Sequence, residues 1–161
     1  PFTPQPSIAQ AIISVSDVPV FVGVGGGITT GMRSVRLAIQ AEHQGAYGVV
    51  LNAPTSDEVI RQIKEVVDIP VVITVVSDHT DIRSRLAAGA DFLNVSGAAA
   101  TPEIVAEIRR DFPEVPIIAT GGPTEESILR TIQAGANAVT YTPPTNGALF
   151  ARIMERHRKT L

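Results

Sequence analysis

Ala88-Gly89-Ala90-Asp91-Phe92-Leu93-Asn94-Val95 is the stretch on which the fold turns. Small residues and a glycine end a helical segment, and a short apolar run follows at once. That is the pattern of a left-handed helix stop with a buried strand behind it. The same step stands at Gly45-Ala46, ahead of an apolar run at 47–51, and at Gly135-Ala136, ahead of one at 138–141. The Gly-Ala steps are 44 and 46 residues apart. Three further apolar runs, at 18–24, 70–76 and 116–119, are entered through Pro19, Pro70 and Pro116. The repeating unit is therefore strand–helix–strand–helix, present three times.

Helical spacing fills the intervals. In 57–67, Val59, Ile60, Ile63, Val66 and Val67 share one face, while Arg61, Gln62, Lys64 and Glu65 share the other. Thr55 with Glu58 forms a capping-box pattern at its start, and Thr101 and Thr124 stand as hydroxyl caps of two later helices. Strict alternation of strand and helix implies parallel strands joined by right-handed crossovers. A two-strand repeat suits a (β/α)8 TIM-type barrel, whose odd and even strands fill alternate core layers. Four such units close a barrel, and this chain has three. Residues 1–16, with Phe2-Thr3-Pro4 echoing Tyr141-Thr142-Pro143, read as the loop and helix of a missing N-terminal unit. The expectation is one partial βα-barrel domain over residues 1–161, with six βα units present and the N-terminal strands absent. An open doubly wound sheet is the alternative, although no strand carries a charge between its ends to protect an edge.

Composition narrows the function. Hydrophobic residues make up 44% of the 161 residues and aromatics 4%, so the core is aliphatic and offers no stacking platform for bases. With a net charge of −3 and no long basic block, nucleic acid is not an expected partner. No cysteine is present, which removes disulfides, thiolate–zinc sites and a cysteine nucleophile. No apolar run reaches the length of a membrane span. A cytoplasmic chain that self-associates and binds a small anionic molecule is the expectation.

In either architecture the ligand belongs at the carboxyl ends of the strands. The first strand ends in Gly23-Val24-Gly25-Gly26-Gly27, whose glycines permit close backbone approach to an anion. The fifth ends in Thr120-Gly121-Gly122 ahead of a helix start, a second candidate anion cradle. The third exits through Ser77-Asp78-His79-Thr80-Asp81, the densest group of proton-transfer side chains. Asp78 and His79 suit general acid–base work, with helix capping as the plainer role. Asn52 and Asn94 end the second and fourth strands and can hold a substrate oxygen, or close a turn. No cofactor is expected. An Asp beside a His can bind a divalent metal, which nothing else in the sequence supports.

Ile117-Ile118-Ala119-Thr120-Gly121-Gly122 and Ala134-Gly135-Ala136-Asn137-Ala138-Val139 resemble the seventh and eighth βα units of the phosphate-binding (β/α)8 barrels. The ketodeoxyphosphogluconate aldolase and ribulose-phosphate types look most similar, and the pattern comes nearest to a bacterial branch labelled as hydrolases. The resemblance implies a phosphate site at Gly121 and Gly122. Where those barrels end the last strand with a glycine, this chain has Tyr141-Thr142-Pro143-Pro144, and proline has no N–H to donate. Thr142, Thr145 and Asn146 are left as substitutes. The aldolases' strand-borne lysine is missing, since Lys64 and Lys159 both fall in helical segments. The expectation is an enzyme of hydrolase, isomerase or non-Schiff-base lyase type on a small phosphorylated or carboxylated metabolite. The alternatives are a non-catalytic anion-binding barrel, or one part of a barrel completed by another chain.

Overall fold

Six parallel strands, hydrogen-bonded in the order of the sequence, form one curled sheet, a partial βα barrel. The structure, a computed structural model, describes residues 4–142 and 144–160. Helix α1 (Pro6–Val15) leads into β1 (Phe21–Gly25), α2 (Met32–His43), β2 (Gly48–Leu51), α3 (Asp57–Lys64) and β3 (Val71–Val75). Then follow α4 (Ile82–Ala87), β4 (Phe92–Val95), a 3-10 turn at Ala98–Ala100, α5 (Thr101–Asp111), β5 (Ile117–Thr120), α6 (Glu125–Gln133), β6 (Ala138–Thr140) and α7 (Asn146–Thr160). The open edges fall at β1 and β6. Of the proposed N-terminal remnant, residues 1–3 lie outside the described residues, and α1 begins at Pro6.

Alternation along each strand divides the two faces. Val49 and Leu51, Val71, Ile73 and Val75, Leu93 and Val95, and Ile117 and Ala119 belong to the buried cluster that packs against the helices. Residues of the other parity line the inner, concave face. At its amino-terminal end Phe21 meets Phe92 with ring centroids 6.3 Å apart, and Phe21 meets Tyr47 edge-on at 5.4 Å. Gly48 lies beneath, where a Cβ would stand 2.6 Å from the Phe21 ring.

The sequence repeat has a physical counterpart. Gly45, Gly89 and Gly135 all adopt positive φ, as their stop positions require. Each is covered by a side chain from the helix that precedes it by two elements, respectively Ile13, Lys64 and Arg109. In two units the device extends into the sheet. Lys64 Nζ donates to Asp91, whose Oδ2 accepts the Val71 N–H at 2.8 Å. Arg109 Nη2 donates to Asn137 Oδ1, which accepts the Ile117 N–H at 2.8 Å. Tyr47 occupies the corresponding place in the first unit.

Several local expectations need correction. Strand β1 starts at Phe21 rather than at residue 18, because Pro19 lacks a ladder N–H and Val18 is exposed. Helix α3 ends at Lys64, and Val66 and Val67 only continue as a turn on Ile63 O. Its cap is Ser56, which accepts from the Val59 N–H, while Thr55 is buried with its hydroxyl unpaired. Thr101 lies inside α5, its hydroxyl linking Gly97 N–H to Ala98 O. Thr124 does cap α6, in a reciprocal box with Ser127. No helix among the described residues is long and apolar enough to cross a membrane.

Candidate functional site

The carboxyl-terminal half of the inner face is lined by neutral polar side chains. β3 and β4 pair Thr74 with Asn94, and Asn94 Nδ2 donates to Thr74 Oγ1 at 3.2 Å. One level higher, Thr120 Oγ1 donates to Ser96 Oγ at 3.2 Å, and β6 places Thr140 beside Thr120. Each hydroxyl or amide retains further donor or acceptor capacity toward the concave side. Beside β1, Gly23 faces open space. Asn52 follows β2 at the parity of the inner face and is exposed at the rim, close to Gly27.

Two strand-end loops are locked together here. Asn52 N–H donates to Gly25 O at 2.9 Å, and Thr55 N–H closes a turn on Asn52 O at 3.0 Å. Gly26, at φ +96, admits no side chain, since a Cβ would stand 2.1 Å from Thr55 Oγ1. On the other side Arg85 donates to Ala53 O and Thr55 O and to Asp57 Oδ1. Ser84 Oγ donates to Asp57 Oδ2. That bond, aided by the Arg85 charge and opposed by partial burial, holds the Asp57 carboxyl below its ordinary range. The Asp57–Arg85 pair carries no sequence signal, because its members lie 28 residues apart on two helices.

In each glycine-rich loop one of the N–H groups expected to meet an anion is engaged within the protein. The Gly121 N–H is engaged by Thr140 O at 3.0 Å, as an extension of the β5–β6 ladder. It therefore has no donor to offer a ligand. Gly122, at φ +78, faces Ser127, and α6 opens with Glu125 and Glu126, like charges to any anion bound there. In the first loop the Gly26 N–H is taken by Thr29 O at 2.8 Å. Thr142 and Asn146 are exposed beyond β6, and Thr145 accepts the Ala148 N–H as the cap of α7. Pro143 lies outside the described residues.

Asp78 and His79 stand on the β3–α4 loop with His79 Nδ1 3.7 Å from Asp78 Oδ1. The His79 side chain is 91% exposed. It borders an outer groove with Ser56, Asp57, Ser84 and Arg85, away from Asn94. The helix cap in this loop is Asp81, which accepts the Ser84 N–H at 3.0 Å. Asn94 thus lies on the inner face with Asn52 at its rim, while Asp78 and His79 open outward. Ser96 and Thr140 complete the inner array. Ser96 lies two residues past Asn94, and strand alternation alone could have found it. Among the described residues, no group of three or more Asp, Glu and His side chains is gathered to hold a metal. An apolar groove of about 500 Å³ lies elsewhere, along the free edge of β1 between Ile8, Ile12 and Leu37.

No family model and no curated protein sequence matches this chain. Solved structures do. A 2,3-dimethylmalate lyase of the PEP mutase/isocitrate lyase superfamily is similar over 96% of this chain at 17% identity, with TM-score 0.71. A phosphoenolpyruvate phosphomutase from Streptomyces platensis subsp. rosaceus is similar over 95% at 19% identity, with TM-score 0.69. A phosphonopyruvate hydrolase is similar over 95% at 19% identity, with TM-score 0.66. This chain spans 64%, 64% and 63% of those three chains, less than two thirds of each. The likeness establishes a TIM-type barrel fold. None of these three structures is described as a ketodeoxyphosphogluconate aldolase or a ribulose-phosphate type, the barrels that the sequence resembles.

Proposed function

We propose that this chain binds a small carboxylated or phosphorylated metabolite at the carboxyl ends of its strands and takes part in its conversion by lyase, hydrolase or mutase-type chemistry. The observation that carries this reading is the array Thr74, Asn94, Ser96, Thr120 and Thr140 on the concave face, at the end of the sheet where such barrels bind ligands. Structurally similar barrels named for dimethylmalate, phosphoenolpyruvate and phosphonopyruvate support the substrate class. Asn52 and Asn94 orient substrate oxygens and Thr74 and Thr120 flank them. Asp78 and His79 are the proton-transfer groups at the same end of the sheet, and the catalytic reading requires the β3–α4 loop to turn them inward from the outer groove. Calorimetric titration with phosphonopyruvate, phosphoenolpyruvate, a malate-type diacid and inorganic phosphate tests it. Binding by at least one carboxylate is expected. Asn94→Ala should weaken it roughly tenfold, through one or two lost hydrogen bonds of about 1 kcal/mol each. Silence from all four probes would sink the proposal.

Binding without conversion is the second reading. It is favoured by one observation: among the described residues, those lining the inner face of the strands include no titratable side chain. His79→Ala decides between the two. Acid–base groups contribute about 10²–10⁴-fold in rate, so the catalytic reading requires turnover to collapse while binding survives.

A further inference from the structure

The turn from Asn52 to Thr55 carries a rim amide that sequence spacing places but does not fix. It is held from one side by β1, through Asn52 N–H on Gly25 O and through the close approach of Gly26. From the other side the Arg85 guanidinium reaches out of α4, 19% exposed, and donates to two carbonyls of the same turn, Ala53 O and Thr55 O. Asp57 pairs with the guanidinium at 2.7 Å, and Ser84, its neighbour on α4, holds the far oxygen of that carboxylate. A planar fork that meets two carbonyls and a carboxylate at once sets position as well as charge. A simple surface ion pair would need none of the carbonyl contacts.

We infer that Arg85 is the positioning residue of the strand-end site, gripping the Asn52–Thr55 turn so that the Asn52 amide stands at the rim of the inner face. Arg85 itself opens to the outer groove beside His79, and it acts on a ligand only through Asn52. This role rests on the assignment of Asn52 as a ligand contact under the proposed function.

The test is Arg85→Lys, which keeps the charge opposite Asp57 and loses the fork. Two readouts are taken: amide exchange, and phosphonopyruvate affinity in the presence and absence of Asn52→Ala. Exchange at Thr55, whose N–H bonds Asn52 O, should quicken at least tenfold, while Leu93, bonded to Pro116 O in the distant β4–β5 pair, stays unchanged. Affinity should fall about tenfold in Arg85→Lys and show no further fall when the change is added to Asn52→Ala, since coupled residues are non-additive. Unaltered Thr55 exchange overturns the inference. So does an equal loss of affinity in both backgrounds, the signature of a general structural role. If the unmodified protein binds no probe, the proposed function fails, and Thr55 exchange alone decides whether Arg85 holds the turn. Should Arg85→Lys fail to fold, Ser84→Ala loosens the same grip through Asp57 and must move both readouts in the same direction.

Discussion

Replacing Thr55 by valine is expected to stabilise the protein by about 1 kcal/mol, because its buried hydroxyl has no partner and the isostere removes an unsatisfied group. The capping-box pattern of Thr55 with Glu58 implies a loss of similar size, so chemical denaturation of this one variant separates the two. The pattern misleads because Ser56 is an equally good cap and the turn on Asn52 carries the chain one residue further before α3 begins. Asp57 gives a second expectation. Its folded pKa lies below the ordinary 3.8 through the Ser84 bond and the Arg85 charge. A depressed carboxyl contributes stability that is present above the unfolded value and lost as pH falls through the folded one. Asp57→Asn should therefore lower Tm near neutral pH, and the gap to the unmodified protein should close below about pH 4. A gap that persists unchanged at pH 2 would contradict the assignment.

Elements were legible where pattern and packing agree. The strand at Phe92–Val95 is found at its expected bounds because it is apolar, short and preceded by a glycine that only a helix stop requires. Prolines marked the approaches to β1, β3 and β5 and stand at the strand entries, where Pro70 and Pro116 still accept from Val49 and Leu93 through their carbonyls and the missing N–H is not needed. What stayed hidden were bonds between distant elements. Gly121 reads as an anion donor until β6 claims its N–H, and Arg85 reads as an ordinary helix arginine until two loop carbonyls are placed against it. The link between Asn137 and the start of β5 is of the same kind. Asn137→Ala leaves the Ile117 N–H without its acceptor and should cost about 2 kcal/mol, a fall in Tm of roughly 4–8 °C. An unchanged melting curve would show that the side chain does not anchor the strand.

At the scale of the molecule, the edges decide behaviour. β1 and β6 are the terminal strands of the sheet; Ile8 and Ile12 of α1 are exposed along β1, and α7, which follows β6 in the chain, exposes Phe150 and Ile153. Unpaired edges flanked by apolar surface favour pairing with further strands. Light scattering across the micromolar range is expected to report a mass above that of one chain, rising with concentration, and a constant single-chain mass would exclude such pairing. The glycine covers have a different consequence. Ile13, Lys64 and Arg109 each reach across to the end of the helix after the next strand. A cover and its glycine therefore recur once for every two strands. Such an architecture is heritable in pairs. A tandem duplication of one 46-residue step would bring a cover, a stop and both strand faces into the lineage already matched. An insertion of a single strand and helix would leave one glycine bare and turn every later strand to the wrong layer.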